Sequence, residues 1–231
     1  MWLTNSSIGR KVIMSVTGLA LILFLTFHAC MNFVAIFSGE AYNKICEMLG
    51  ANWYAVAATA GLGALVVAHF AYAFILTLQN RKARGNSQYA VVDRPANVSW
   101  ASQNMLVLGI IICLGMLLHL KHFWANMMFV ELTAAHHSPE MLYATDGYHW
   151  IVTIFSNPIY VALYLVWLCA IWFHMNHGFW SAFQTLGASG KTWMPRLKCI
   201  GLVYSTIVMG MYAAVVLFFF ARSFCPACAS I

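Results

Sequence analysis

The sequence predicts an all-α membrane protein of five transmembrane helices, the first four bundled around buried histidines. Three observations predict it. Of 231 residues, 62% are hydrophobic and only 8% are charged, where a soluble domain carries roughly a quarter. The mean hydropathy is +0.77, and so few charges cannot cover a water-facing surface. Five apolar stretches each reach the ~20 residues that a spanning helix needs. The spans and short loops use up residues 1–231 as a single domain. No phosphate loop, dinucleotide fingerprint or nucleophile elbow is present, so catalysis on a soluble substrate is expected on a partner.

Span one is expected over about residues 12–37, after Arg10 and Lys11. It is too long for a signal-peptide core and no small-residue cleavage site follows, so it reads as retained. Span two is expected over about 53–78, stopping at Arg81, Lys82 and Arg84. Span three covers about 102–129. Span four covers about 151–186, with Pro158 marking its first turn or a kink. Span five covers about 199–221.

The loops alternate in charge. Arg10, Lys11, Arg81, Lys82, Arg84, Arg94, Lys191, Arg196 and Lys198 fall on one side. Lys44, Lys121 and Arg222 fall on the other, with Glu40, Glu47, Glu131, Glu140 and Asp146. The positive-inside rule puts the first group in the cytoplasm, with the N-terminus inside and the C-terminus outside. The net charge of +6 is thereby a matter of topology and contact with anionic lipid, and no nucleic-acid partner is expected. Cys30, Cys113, Cys169 and Cys199 lie in apolar stretches and read as small hydrophobes. Cys225 and Cys228 form a CxxC in the tail, and two cysteines do not complete a tetrahedral metal site.

Nine histidines carry the functional signal. His136, His137 and His149 fall in the loop between spans three and four and read as solvated. His28, His69, His119, His122, His174 and His177 fall in or near spans. Ionisable residues there are costly, and they usually face the bundle interior in a functional role. Counted from the cytoplasmic end, His28 lies ~24 Å up span one and His119 ~26 Å up span three, while His69 and His174 lie at ~16 and ~18 Å. The histidines sort into an outer pair and an inner pair. His122 and His177 follow His119 and His174 by one turn and share their faces, so spacing alone leaves each choice open. Gly18, Gly115 and Gly178 lie near these positions, either for close approach of a flat macrocycle or for ordinary helix packing.

Two histidines from facing helices at one level suit an iron with both axial positions filled, and bundle cores are a known place for such cofactors. A haem so held has no open position and is restricted to electron transfer. Four ligands at two depths do not make one zinc tetrahedron. The reading is therefore two haem b groups, in a haem-binding bundle. A transporter or structural anchor whose histidines relay protons is the reading from another class, and it predicts a colourless protein.

At these residues the chain resembles a known family. The segments are Gly9-Arg10-Lys11, Ser15-Val16-Thr17-Gly18-Leu19 and Phe27-His28; Ala68-His69; His119-Leu120 with Phe123-Trp124; and the run from Phe173-His174 through His177-Gly178 to Gly187. They resemble the cytochrome b subunit of succinate dehydrogenases and fumarate reductases, in its single-subunit, five-helix, dihaem form. The resemblance implies His28 and His119 as ligands of the outer (distal) haem, and His69 and His174 as ligands of the inner (proximal) one. It implies flavoprotein and iron-sulfur subunits on the cytoplasmic face, menaquinone as the quinone, the bacterial inner membrane, and a dimer of complexes as a further level of assembly. Ser15, Arg10 and Lys11 are candidate propionate contacts, and Glu47, Asn32 and His122 candidate quinone contacts. One departure is Trp172, where some menaquinol-oxidising relatives carry a glutamate for proton movement. The alternative is the dihaem anchor of a hydrogenase, formate dehydrogenase or nitrate reductase.

Overall fold

The computed structural model describes residues 6–84, 100–133 and 142–225. Arg94, His136, His137, Glu140 and Cys228 lie outside them. The described residues are 87% helical and contain no strand. Five helices are long and apolar enough to cross a membrane.

Helix α1 runs Ser7–Phe33, opened by Ser6, whose hydroxyl accepts from the Gly9 N–H. That cap places the start earlier than hydropathy suggested, and it takes Arg10 and Lys11 into the helix. A tight turn over Val34–Ile36 leads to α2, Gly39–Met48, capped by Ser38. Helix α3 is Trp53–Arg84, longer than expected because its basic end stays helical. Helix α4 is one turn, Trp100–Gln103, followed by α5, Met105–His119.

Span three ends earlier than the expected residue 129. After His119 the chain passes into a wide turn, Leu120–Trp124, where the Ala125 N–H reaches back five residues to the Leu120 carbonyl at 2.8 Å. Turns of this kind break the regular ladder within helices. The short α6, Met128–Thr133, follows as a separate element.

Span four is also corrected. Residues 151–155 belong to α7, Gly147–Phe155, Ser156 and Asn157 link the two helices, and the span is α8, Pro158–Thr185. Pro158 is the first residue of α8, where its missing N–H costs nothing, and the Asn157 side chain accepts from the Ile159 N–H. Helix α8 stops at Gly187, whose φ of 107° is a left-handed conformation that glycine adopts without penalty. Helix α9, Trp193–Arg222, is the fifth span and begins before the expected residue 199.

The spans pack in the ring order α3, α1, α8, α5, and α3 hardly touches α5. Helix α9 lies across α8 and α1. Small residues let it approach: a Cβ at Gly201 would stand 3.0 Å from the Phe179 ring, and Ser205, one turn on, is fully buried. Close contact through small residues four apart is how helices associate in lipid. Between α5 and α8, Trp167 fills the space over Gly115 and its indole N–H donates to the Ile112 carbonyl at 3.0 Å.

One end of the bundle is closed by α2, α6 and α7. The Asn43 amide donates to Asp146 at 2.8 Å, and the Tyr148 N–H donates to Asn43 at 2.9 Å. Glu131 accepts from the Ala51 N–H at 2.9 Å, and Arg222 donates to the Tyr148 hydroxyl. Inside this cap, burial pushes the Cys46 thiol up to about 11, with the Tyr42 hydrogen bond opposing the shift. Burial likewise raises the Tyr42 phenol. A raised acid pKa in the fold contributes stability that is intact below the ordinary thiol value of about 8.5 and is lost as pH climbs toward the folded value. The cap is expected to loosen between about pH 9 and the folded value near 11. At pH 8, alkylation of Cys46 should be at least roughly tenfold slower in the folded chain than after unfolding, because the thiolate is the nucleophile.

Candidate functional site

The structure brings four histidines together as two cross-helix pairs. His28 of α1 faces His119 of α5, with ring centres 5.8 Å apart and planes at 82°. His69 of α3 faces His174 of α8, with ring centres 6.2 Å apart and planes at 69°. Each pair joins diagonal members of the ring. Neither α1 with α5 nor α3 with α8 forms a packed interface, so the imidazoles meet across the bundle interior.

The separation has a chemical meaning. A metal–imidazole bond is ~2.0 Å, and a nitrogen sits about 1.1 Å from its ring centre, so two imidazoles on one metal stand about 6.2 Å centre to centre. The inner pair has that spacing, 6.2 Å, and the outer pair, at 5.8 Å, is slightly closer. Among the described residues no three histidine, cysteine or acidic side chains converge as a metal-binding group, so each pair would offer a metal two side-chain ligands.

The levels are distinct. The inner pair stands beside Thr17, whose hydroxyl lies 3.1 Å from His69 Nδ1. The outer pair stands eleven residues farther along α1, roughly 16 Å at helical rise. There the Tyr212 hydroxyl of α9 lies 3.0 Å from His28 Nδ1, and the Trp167 ring centre is 5.6 Å from that of His119. Gly18 gives the inner pair room: a Cβ there would stand 3.2 Å from His69 Cε1. A Cβ on Gly178 would meet nothing within 4 Å, while Gly115 serves packing. His174 Nδ1 is buried with no hydrogen-bond partner. Paired imidazoles near metal-spanning distance fit a haem at each level, with Gly18 as a small neighbour at the inner one.

The two histidines one turn on from His119 and His174 have other neighbours. His122 is buried, with its ring 4.5 Å from that of Tyr160 and its Nδ1 3.3 Å from the Tyr164 hydroxyl. His177 lies against Trp180 at 4.7 Å. Neither faces a histidine of another span. His122 lies within the wide turn that follows His119. His149, expected to be solvated, stacks on Tyr143 at 4.0 Å.

Asn32 stands at the outer pair. Its amide donates to the His28 carbonyl at 2.7 Å, and its carbonyl accepts from Tyr42 at 2.9 Å. Glu47 does not join it. Its side chain is 66% exposed and pairs with Lys44 at 3.8 Å, on the rim of a surface hollow of about 260 Å³ shared with Asn43 and Asp146. Ser15 is buried and spends its proton on the Lys11 carbonyl at 3.0 Å, so in this geometry it has no donor for a carboxylate. Lys11 is exposed and Arg10 half-buried at the end of α1.

Thr17 and Tyr212 were missed at the sequence level. A hydroxyl in an apolar span carries no charge signal, and span five, having no histidine, drew no attention. The one available signal was that a polar residue inside a span faces a partner more often than lipid. Comparison of the chain with protein-family models, with curated proteins and with solved structures finds no match.

Proposed function

We propose that the chain is the dihaem cytochrome b membrane anchor of a succinate dehydrogenase or fumarate reductase, passing electrons between the quinone pool and iron-sulfur and flavoprotein subunits. The observation that carries the reading is the two histidine pairs, 5.8 and 6.2 Å between ring centres, at two levels of one transmembrane bundle. The family resemblance supplies the partner chemistry. His28 and His119 would hold the outer haem, and His69 and His174 the inner one. When bound, such groups supply one-electron transfer without an open iron position.

The surrounding side chains then have defined tasks. The diagonal placement of each pair holds two imidazoles on opposite sides of the bundle axis. Asn32 and His122 flank the outer level, which favours that end for menaquinone. The basic residues Arg81, Lys82, Lys191, Arg196 and Lys198 mark the cytoplasmic end, where the iron-sulfur subunit would dock, in a bacterial inner membrane with the N-terminus inside.

Purification of the chain from its native membranes under mild detergent tests the reading. The expected result is co-purification of a flavin-bearing and an iron-sulfur subunit, with succinate reducing b-type haem. A molybdenum- or nickel-bearing partner would instead support a formate dehydrogenase, nitrate reductase or hydrogenase anchor.

A further inference from the structure

Both hydroxyls that meet the histidine pairs are already committed as donors. Thr17 Oγ1 donates to the Ile13 carbonyl at 2.8 Å, with the Met14 carbonyl at 3.2 Å. Tyr212 Oη donates to the Leu25 carbonyl at 2.8 Å. A hydroxyl has one proton, and a carbonyl can only accept. Toward the histidines, therefore, both oxygens can only accept. His69 Nδ1 at 3.1 Å from Thr17 and His28 Nδ1 at 3.0 Å from Tyr212 satisfy these contacts only as N–H donors. The second nitrogen, Nε2, is then left with its lone pair. Asn32 also approaches His28 Nδ1, at 3.3 Å, with one amide proton already given to the His28 carbonyl. A second donation to a bare Nδ1 would leave the closer Tyr212 oxygen, at 3.0 Å, facing a lone pair, so the Nδ1–H form satisfies the shorter contact.

Each pair thus has one ligand whose tautomer is held by a hydroxyl from a neighbouring helix. At the inner level that helix is α1, and at the outer level it is α9. The other member of each pair has no such support. His174 Nδ1 is buried without a partner, and His119 is surrounded by the rings of Phe123, Tyr164 and Trp167.

We propose that Thr17 and Tyr212 are positioning residues that hold His69 and His28 as Nδ1–H tautomers with Nε2 free to ligate, and that each separately sets the electron richness of its own level. An acceptor on the far nitrogen of a ligating histidine raises its basicity. A more basic ligand favours the oxidised iron, so removing the acceptor raises the midpoint potential of that level alone. This inference rests on the dihaem reading above.

The test is a redox titration of the b-type haems in the purified complex carrying Thr17→Val, Thr17→Ser or Tyr212→Phe. Valine keeps the shape and deletes the oxygen, whereas serine keeps the oxygen. Thr17→Val should shift the inner couple upward by about tenfold in its equilibrium constant, ~59 mV for one electron, and leave the outer couple in place. Thr17→Ser should stay within about threefold of the parent. Tyr212→Phe should move the outer couple alone, in the same direction. Should Thr17→Val lose the inner haem while Thr17→Ser retains it at the parent potential, the hydroxyl is again what holds the ligand. Equal effects of valine and serine, no shift in any variant, or a common shift of both couples would overturn the proposal. A parent complex without two haems would instead refute the functional reading on which it rests.

Discussion

Replacing His174 by alanine is expected to remove one of the two haems and leave the other. On the proposed dihaem reading His174 would provide one of the two protein ligands at the inner level, where its ring faces His69 across 6.2 Å. His177 is not placed to substitute, since its ring lies against Trp180 and faces no histidine of another span. The outer pair is built on other residues, roughly 16 Å farther along α1. The pyridine haemochrome content per chain should fall to about half of the parent value, as expected when one of two independent bis-histidine sites loses an axial ligand. His119→Ala should remove the other half, whereas His122→Phe and His177→Phe should retain both haems. Full haem content in His174→Ala, or loss of a haem in His177→Phe, would transfer the ligand role to His177.

Gly115→Leu is expected to have the largest effect on the fold itself. The position where a side chain would begin is occupied by the Trp167 ring. A leucine there must displace the indole, break its bond to the Ile112 carbonyl, or push α5 away from α8. Overpacking of a tight site costs ~1–3 kcal/mol, and a buried donor left without a partner adds ~1–3 kcal/mol. Together they come to about 2–6 kcal/mol, a large share of the stability of a domain of this size. His119 lies on the same helix, one turn beyond Gly115, with its ring beside Trp167. Thermal unfolding of the purified chain should show a lower midpoint, and the outer haem should be lost more readily than the inner. Gly115→Ala should show a smaller effect in the same direction. Parent-like stability in Gly115→Leu would mean that α5 and α8 are not in contact as described.

The placement of helices was legible where the apolar composition starts and stops at a physical boundary. Span two begins at Trp53, as expected. It was not legible where apolar residues continue through a break. Phe155 and Ile159 are equally hydrophobic, yet Asn157 and Pro158 start a new helix between them by capping and by a fixed φ. The wide turn at Leu120–Trp124 has no compositional mark, since it depends on one hydrogen bond reaching back five residues.

The histidine pairs were more legible than the helix ends. Depth along a helix follows from counting, and both expected pairs face each other in the structure. Spacing alone could not choose between His119 and His122, because residues three apart share a face. The family resemblance favoured His119, and in the structure His119 faces His28 while His122 packs against Tyr160. Thr17 and Tyr212 were beyond linear reasoning. Their meaning lies in which atom of another helix each oxygen meets.

The central claim is that these pairs hold two haems. The most direct test is the pyridine haemochrome content of the purified parent chain, with its dithionite-reduced minus oxidised spectrum. The expected result is b-type bands and two haems per chain. A colourless protein, or a single haem per chain, would contradict it.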